Sequence, residues 1–263
     1  MKTSSLHSTN NRVSQPSNEL EVALPATDET LEQDAEWCVA NIDGRWRRIR
    51  FHDYPALYNV PGLYEKVIYE ILGCNSPRIV RQLLKVAMED AKESPMSLRA
   101  LDLGAGNGMM GEELRDLDAE FVVGADIIEE AKMAAERDRP GVYDDYLVCD
   151  ITKPSAAQQA MIDGSRFNCL TCVAALGFGD IPSEAFIAAF RPVQNGGWIA
   201  FNIKAEFLDA AHPAGFAELV QLLVSSRTLE IVSQKRYPHR RGVDGTPIEY
   251  VAIVGRKRGE IEE

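Results

Sequence analysis

Short apolar runs alternate along this chain with stretches whose apolar residues recur at helical spacing. Leu98–Leu103, Phe121–Asp126 and Tyr146–Asp150 read as buried strands, and helices fit 108–117, 127–138, 155–163 and 183–191. Gly215–Ser225 reads as a last crossover helix. Strands alternating with helices in this way predict an α/β domain with a parallel sheet. The ending breaks the rhythm. Thr228–Tyr237 and Ile248–Lys257 are consecutive strand patterns, and the loop between them fits no helix, so they pair as an antiparallel hairpin. Ahead of the core, Trp37–Phe51 predicts a hairpin turning at Asp43-Gly44. A tyrosine-rich segment follows (Tyr54, Tyr58, Tyr64, Tyr69) with Pro61 at a first helical position, and Ser76-Pro77 opens a helix to about Ala91.

The first core strand runs into Leu101-Asp-Leu-Gly-Ala-Gly-Asn-Gly-Met-Met-Gly-Glu-Glu-Leu114, a glycine turn that opens a helix. Glycine admits positive φ and close approach of a ligand to the main chain. A helix start beyond it offers unpaired N–H groups to an anionic group. Two spacings overlap here, Gly104-x-Gly106-x-Gly108 and Gly106-x-Gly108-x-x-Gly111, and the second also matches the dinucleotide fingerprint. Three successive strands end at Gly104, Asp126 and Asp150, which places these positions on one rim of a parallel sheet. Asp126 is placed for two ribose hydroxyls and Asp150, one strand over, for an adenine amino group. An acid after a strand also serves as a helix cap, a role open to Asp150 above all. Asp102 lies inside a strand, where an unpaired carboxylate is costly, so it is expected to meet the loop amides or a ligand ammonium group.

This ordered set resembles the class I S-adenosylmethionine-dependent methyltransferases over about residues 97–257. Leu101–Gly108 looks like their first motif, Asp126 like the ribose-binding acid, and Asp150 with Ile151 like the adenine-contacting pair. Phe167–Ala174 resembles their fourth strand, and Asn195–Asn202 the glycine turn and fifth strand. The resemblance implies a doubly wound, mostly parallel seven-stranded sheet of the Rossmann-like kind, with an antiparallel last strand and helices on both faces. It implies S-adenosyl-L-methionine as cofactor, held by Asp102, Gly104, Ala105, Gly106, Gly108, Asp126, Ile127, Asp150, Ile151 and Ala174. It divides the chain into an acidic tail over 1–36, a hairpin and helical lid region over 37–95, and a methyltransferase core over 96–258. The tyrosines of the lid would then touch the methionine end of the cofactor.

Composition narrows the rest. Seven acids against Lys2 and Arg12 give residues 1–36 five of the chain's twelve net negative charges, and this stretch reads as a disordered arm. It has no apolar signal-peptide core, and no run of about 20 apolar residues spans a membrane. Five cysteines form no disulfide framework, which suits the reducing cytoplasm. Cys169 and Cys172 match C-x-x-C, but three apart in a strand they face opposite ways, and no metal site is expected. A pI near 4.9 argues against nonspecific nucleic-acid binding. The Asn/Asp-Pro-Pro-aromatic motif of amino methyltransferases acting on DNA bases is absent, and Ala174-Ala-Leu-Gly-Phe-Gly-Asp180 stands in its place. A small-molecule acceptor is therefore expected.

Methyl transfer from a sulfonium needs mainly proximity and orientation, with a base in some cases. Candidates lie after strand four, where Phe178 would wall the acceptor pocket and Asp180 would orient or deprotonate the acceptor, and after strand five at Asn202-Ile-Lys204. His239 is the favoured imidazole base, carried over the site by the loop before the last strand, while His52 reads as structural. Two other readings stay open: an NAD(P)-dependent oxidoreductase built on Gly106–Gly111, and a cofactor-binding protein without transferase activity. The chain has no Tyr-x-x-x-Lys pair of the short-chain dehydrogenase kind.

Overall fold

Val22–Ala23 (β1), Trp37–Ile42 (β2) and Arg45–Arg50 (β3) form a small antiparallel sheet in that order, with β2 and β3 turning at Asp43-Gly44. The computed structural model describes residues 20–26, 31–91, 97–177, 180–208 and 216–261. A short helix, Tyr54–Tyr58 (α1), follows, started by Asp53, whose carboxylate accepts from the Ala56 amide at 3.3 Å. Glu65–Ile71 is wound as a π-helix, and Ser76–Asp90 (α2) begins with Pro77 in its first turn.

The main sheet holds seven strands. They are Arg99–Leu103 (β4), Phe121–Asp126 (β5), Asp145–Val148 (β6), Cys169–Cys172 (β7), Trp198–Lys204 (β8), Leu229–Arg241 (β9) and Pro247–Lys257 (β10). Their order is β6-β5-β4-β7-β8-β10-β9, parallel from β6 to β8. β10 lies antiparallel between β8 and β9, so the last strand is the reversed one. The crossovers carry Met109–Arg115 (α3), Glu129–Asp138 (α4), Ala156–Gly164 (α5), Ser183–Phe190 (α6) and Phe216–Ser225 (α7). Ser155 and Gln158 close a capping box at the start of α5.

Alternation along the strands feeds two cores, one on each face. Leu101, Leu103, Val123, Leu170 and Cys172 pack on one side; Ala100, Val122, Cys169 and Ala200 pack on the other. Cys169 and Cys172 thus serve opposite cores. A third core of Cys38, Leu57, Leu63 and Val67 belongs to the N-terminal sheet and helices.

That N-terminal unit is tied to the far end of the chain, which corrects two expectations. Residues 20–26 and 31–36 are structured, not a disordered arm: β1 pairs with β2, Gln33 Nε2 donates to Tyr250 Oη at 3.1 Å, and Glu36 meets Arg240 at 2.5 Å. Counting acids hid the fact that Glu36 has a buried cationic partner. Residues 238–241 continue β9, and Pro247 already begins β10. They stay extended because Arg241 donates to the Leu72 carbonyl at 2.8 Å and Asn75 to the His239 carbonyl at 3.2 Å. Among the described residues, no helix is long and apolar enough to cross a membrane.

Candidate active site

At the carboxyl ends of β4 to β7 the sheet opens into a cleft of about 610 Å³. Gly104, Ala105 and Gly106 form its floor. Gly104 has φ of 69°, and a Cβ there would lie 2.7 Å from Ala175 Cβ; Gly106 has φ of 53°, and a Cβ would lie 2.5 Å from Tyr58 Oη. Only glycine fits either place. Tyr146 donates its hydroxyl to the Gly106 carbonyl at 2.7 Å, and Asn107 Nδ2 donates to Glu65 Oε1 at 2.6 Å, which joins the glycine turn to the π-helix.

Asp126 closes β5 with three backbone N–H groups aimed at its carboxylate. Gly106 donates to Oδ2 at 2.9 Å, Ile127 to Oδ1 at 2.8 Å and Ile128 to Oδ1 at 3.3 Å. Burial still holds this carboxyl above its ordinary pKa, against the pull of those amides. Beside it Ile127 is 66% exposed, an apolar surface at the cleft that the described residues leave uncovered. Ile151 lines the next part of the wall, and Asp150 lies at the cleft edge. Thr152 donates to Asp150 Oδ1 through its hydroxyl at 2.7 Å and its amide at 3.0 Å, which lowers that carboxyl's pKa.

Two residues of the glycine motif do not reach the cleft lining. Asp102 is buried in β4, where Thr171 and Tyr143 each donate a hydroxyl to it at 2.7 Å. Its partners among the described residues are these side chains, not the loop amides. Burial pushes its pKa up to about 6 despite both bonds. Gly108 takes φ of 92° as the N-cap of α3, and its Cα packs toward Arg139 and Val142. Both support the turn from behind.

The tyrosines gather on the opposite wall. Tyr54, Tyr58, Tyr64 and Tyr69 all line the cleft, with consecutive ring centroids 6.2, 5.0 and 5.9 Å apart. A smaller chamber of about 40 Å³ opens behind them, lined by Gln33, Phe51, His239, Arg240 and Tyr250. His52, Tyr54, Tyr64, Ala174, Ala175 and Asp180 line both spaces. His52 Nδ1 stands 3.1 Å from Asp180 Oδ2, a pairing that residues 128 positions apart in the sequence gave no sign of. Phe178 lies outside the described residues.

His239 is placed differently from the sequence expectation. It sits in β9, not in a loop, and is almost wholly buried, with its ring stacked on Tyr250 at 4.1 Å between centroids. Burial and the Arg240 charge hold its pKa well below the ordinary value. Its Nδ1 is 2.6 Å from Ser76 Oγ, which is 2.6 Å from Tyr237 Oη. Asn202 Nδ2 donates to Tyr237 at 2.6 Å, while Asn202 Oδ1 accepts from the Ala174 amide, also at 2.6 Å. One polarity satisfies this line: Asn202 donates to Tyr237, Tyr237 to Ser76, and Ser76 to an unprotonated His239 Nδ1. The line fixes Ala174, whose φ of 59° is unusual for alanine, at the cleft wall. Lys204 instead pairs with Glu206 at 2.5 Å, beyond the cleft lining. No group of three or more metal-ligating side chains occurs among the described residues.

Comparison with known proteins gives this geometry a context. A family of sequences described as "Methyltransferase domain" matches residues 101–201. Among curated proteins, none matches the chain significantly. An N-methyltransferase, NodS from Bradyrhizobium japonicum WM9, solved with S-adenosyl-L-homocysteine, superposes with a TM-score of 0.52 at 13% identity, over 80% of this chain and 98% of its own. A S-adenosylmethionine-dependent methyltransferase from Clostridium acetobutylicum ATCC 824 superposes with a TM-score of 0.50 at 14% identity, over 75% of this chain and 97% of its own. At such identities these two establish the shared fold.

Proposed function

We propose that this chain, whose residues 101–201 match a methyltransferase family, is an S-adenosylmethionine-dependent methyltransferase of class I that methylates a small molecule held between the cofactor cleft and the chamber behind it. The cofactor, when bound, supplies an electrophilic methyl group on a sulfonium sulfur, whose departure as a thioether drives the transfer.

The residues present suit that cofactor. The Gly104–Gly106 floor has no room for a Cβ, so an anionic or amino-acid end can lie against the main chain. Asp126 carries a carboxylate held by backbone donors at the cleft edge, suited to accept from ribose hydroxyls. Exposed Ile127 and buried Ile151 offer apolar faces to an adenine ring. Asp150 fits an amino donor through the carboxylate capacity that Thr152 leaves. In this reading Ala174 and the four tyrosines bound the methyl end.

The observation that carries the small-molecule reading is the chamber, about 40 Å³ and walled by Phe51, Tyr54, Tyr64 and Tyr250. It suits the head of a compact acceptor and not a base pair or a folded protein surface. The acidic chain, with pI near 4.9, also disfavours a polyanionic acceptor. We place the enzyme in the reducing cytoplasm, in keeping with its five unbridged cysteines. Incubation with S-adenosylmethionine labelled in the methyl group, and with a cell extract divided by size, tests the proposal. Label is expected in the fraction below protein and RNA size; label confined to RNA or protein overturns it.

A further inference from the structure

We propose that His52 is the general base for an acceptor hydroxyl, and that Gln33 receives a second hydrogen-bond donor on the same acceptor. The inference rests on the methyl-transfer reading above and goes further by naming the acceptor's chemistry.

Position comes first. His52 and Asp180 line both the cofactor cleft and the chamber, so the pair stands where an acceptor in the chamber would face a methyl group arriving from the cleft. Asp180 Oδ2 lies 3.1 Å from His52 Nδ1, and Tyr54 Oη donates to the same oxygen at 3.4 Å. A carboxylate on Nδ1 selects the tautomer with its proton there and the lone pair on Nε2. The Tyr54 ring, 5.6 Å from the imidazole between centroids, restricts how the imidazole can turn. His52 and Asp180 are 128 positions apart in the sequence, and the fold brings them together at this doorway.

A second observation points to a ligand independently. Gln33 is 8% exposed and lines the chamber; its Nε2 is bonded to Tyr250, but its Oε1 is buried with no hydrogen-bond partner among the described residues. An amide oxygen so placed calls for a donor. The acceptor that satisfies both groups carries a hydroxyl and a second N–H or O–H donor, since His52 and Gln33 line the same chamber.

The step balances without a further reactant. As the acceptor oxygen bonds to the methyl carbon, the carbon–sulfur bond breaks with its electron pair left on sulfur, and the hydroxyl proton passes to His52 Nε2. Asp180 holds the imidazolium until water takes the proton after product leaves. The other titratable groups around His52 and the chamber are Tyr54, Tyr64 and Tyr250, whose hydroxyls burial pushes upward, with His239 and the Arg240–Glu36 pair. Burial keeps His239 neutral, so it does not share the proton.

The test uses 2-aminophenol, which has both donors, and phenol, which lacks the second. Calorimetry of the full chain saturated with S-adenosylhomocysteine should show 2-aminophenol binding roughly tenfold or more tightly than phenol, consistent with about 1.4 kcal/mol per tenfold. Gln33→Met should erase that preference. His52→Gln should lower methyl transfer to oxygen by about 100- to 10,000-fold while 2-aminophenol still binds. Ring ¹⁵N resonances should show His52 protonated at Nδ1 in the resting protein. Undiminished O-methylation by His52→Gln, transfer to nitrogen, or no binding of 2-aminophenol beside bound S-adenosylhomocysteine each overturns the proposal alone. Failure of S-adenosylhomocysteine itself to bind overturns the reading on which it stands.

Discussion

Gly106 donates its backbone N–H to Asp126 Oδ2 at 2.9 Å, across the gap between the turn after β4 and the end of β5. One carboxylate thereby shapes the glycine floor and presents the lone pairs assigned here to the ribose. Asp126→Ala removes a charged acceptor worth roughly 1.5–3 kcal/mol per hydrogen bond, so S-adenosylhomocysteine affinity should fall about 10- to 100-fold. Calorimetric titration checks this. NAD(H) titrated in parallel should not bind, and its binding in place of the sulfur compounds would restore the oxidoreductase reading.

Gly106→Ala should damage the cleft through two separable effects. Positive φ costs an alanine roughly 1–2 kcal/mol, and the new methyl would meet the Tyr58 hydroxyl, 2.5 Å away. Adding Tyr58→Phe should recover the steric part, seen as partial return of cofactor affinity, and leave the backbone part unrepaired in denaturant unfolding.

Stability should respond to pH through Asp102 with a definite sign. Its folded pKa is raised from 3.8 to about 6, so the folded state holds a proton that the unfolded chain has already lost. That contribution is full below pH 4 and declines as pH rises toward 6, on the order of 3 kcal/mol by linkage. Asp102→Asn should therefore unfold at higher denaturant than the wild type at pH 7, with the advantage gone below pH 4.

His239 acts in the opposite direction. Its pKa is depressed in the folded state, so the unfolded chain takes up a proton first as pH falls through about 6.5. Stability is lost on acidification in that range. His239→Gln should flatten the acid side of the stability curve while costing packing against Tyr250, measured as a lower midpoint at pH 8.

Glu36 and Arg240 form a buried ion pair, and Glu36 also accepts from the Val243 amide at 2.7 Å. Glu36→Gln leaves the guanidinium without its counter-charge and should cost about 3–5 kcal/mol. The double variant Glu36→Gln, Arg240→Met should cost less than the single one. Urea unfolding of the three proteins decides it.

Much of the core was legible because local pattern and tertiary role coincide there. The apolar runs ending at Leu103 and Asp126, the glycine turn and the closing hairpin are each set by neighbours in sequence. Asp102 was readable as a buried acid but not as the partner of Thr171 and Tyr143, which lie 69 and 41 residues away. The same reason hid the chamber. Gln33 meets Tyr250 across 217 residues, and Glu36 meets Arg240 across 204, so an acidic stretch that looks solvated becomes one wall of a site. His239 followed from neither pattern, since its place depends on how far β9 runs past Tyr237.

The π-helix, the Gln33 bond and the Glu36 clasp all lean on the end of the β9–β10 hairpin. During synthesis the residues that build the chamber's near wall leave the ribosome before the surface they dock on, which is translated 204 to 217 residues later. Contacts of such long sequence separation form slowly and late. The cleft at the ends of β4 to β7 can therefore take shape on the nascent chain well before the chamber behind it exists, and the two adjoining spaces differ in age within every molecule made.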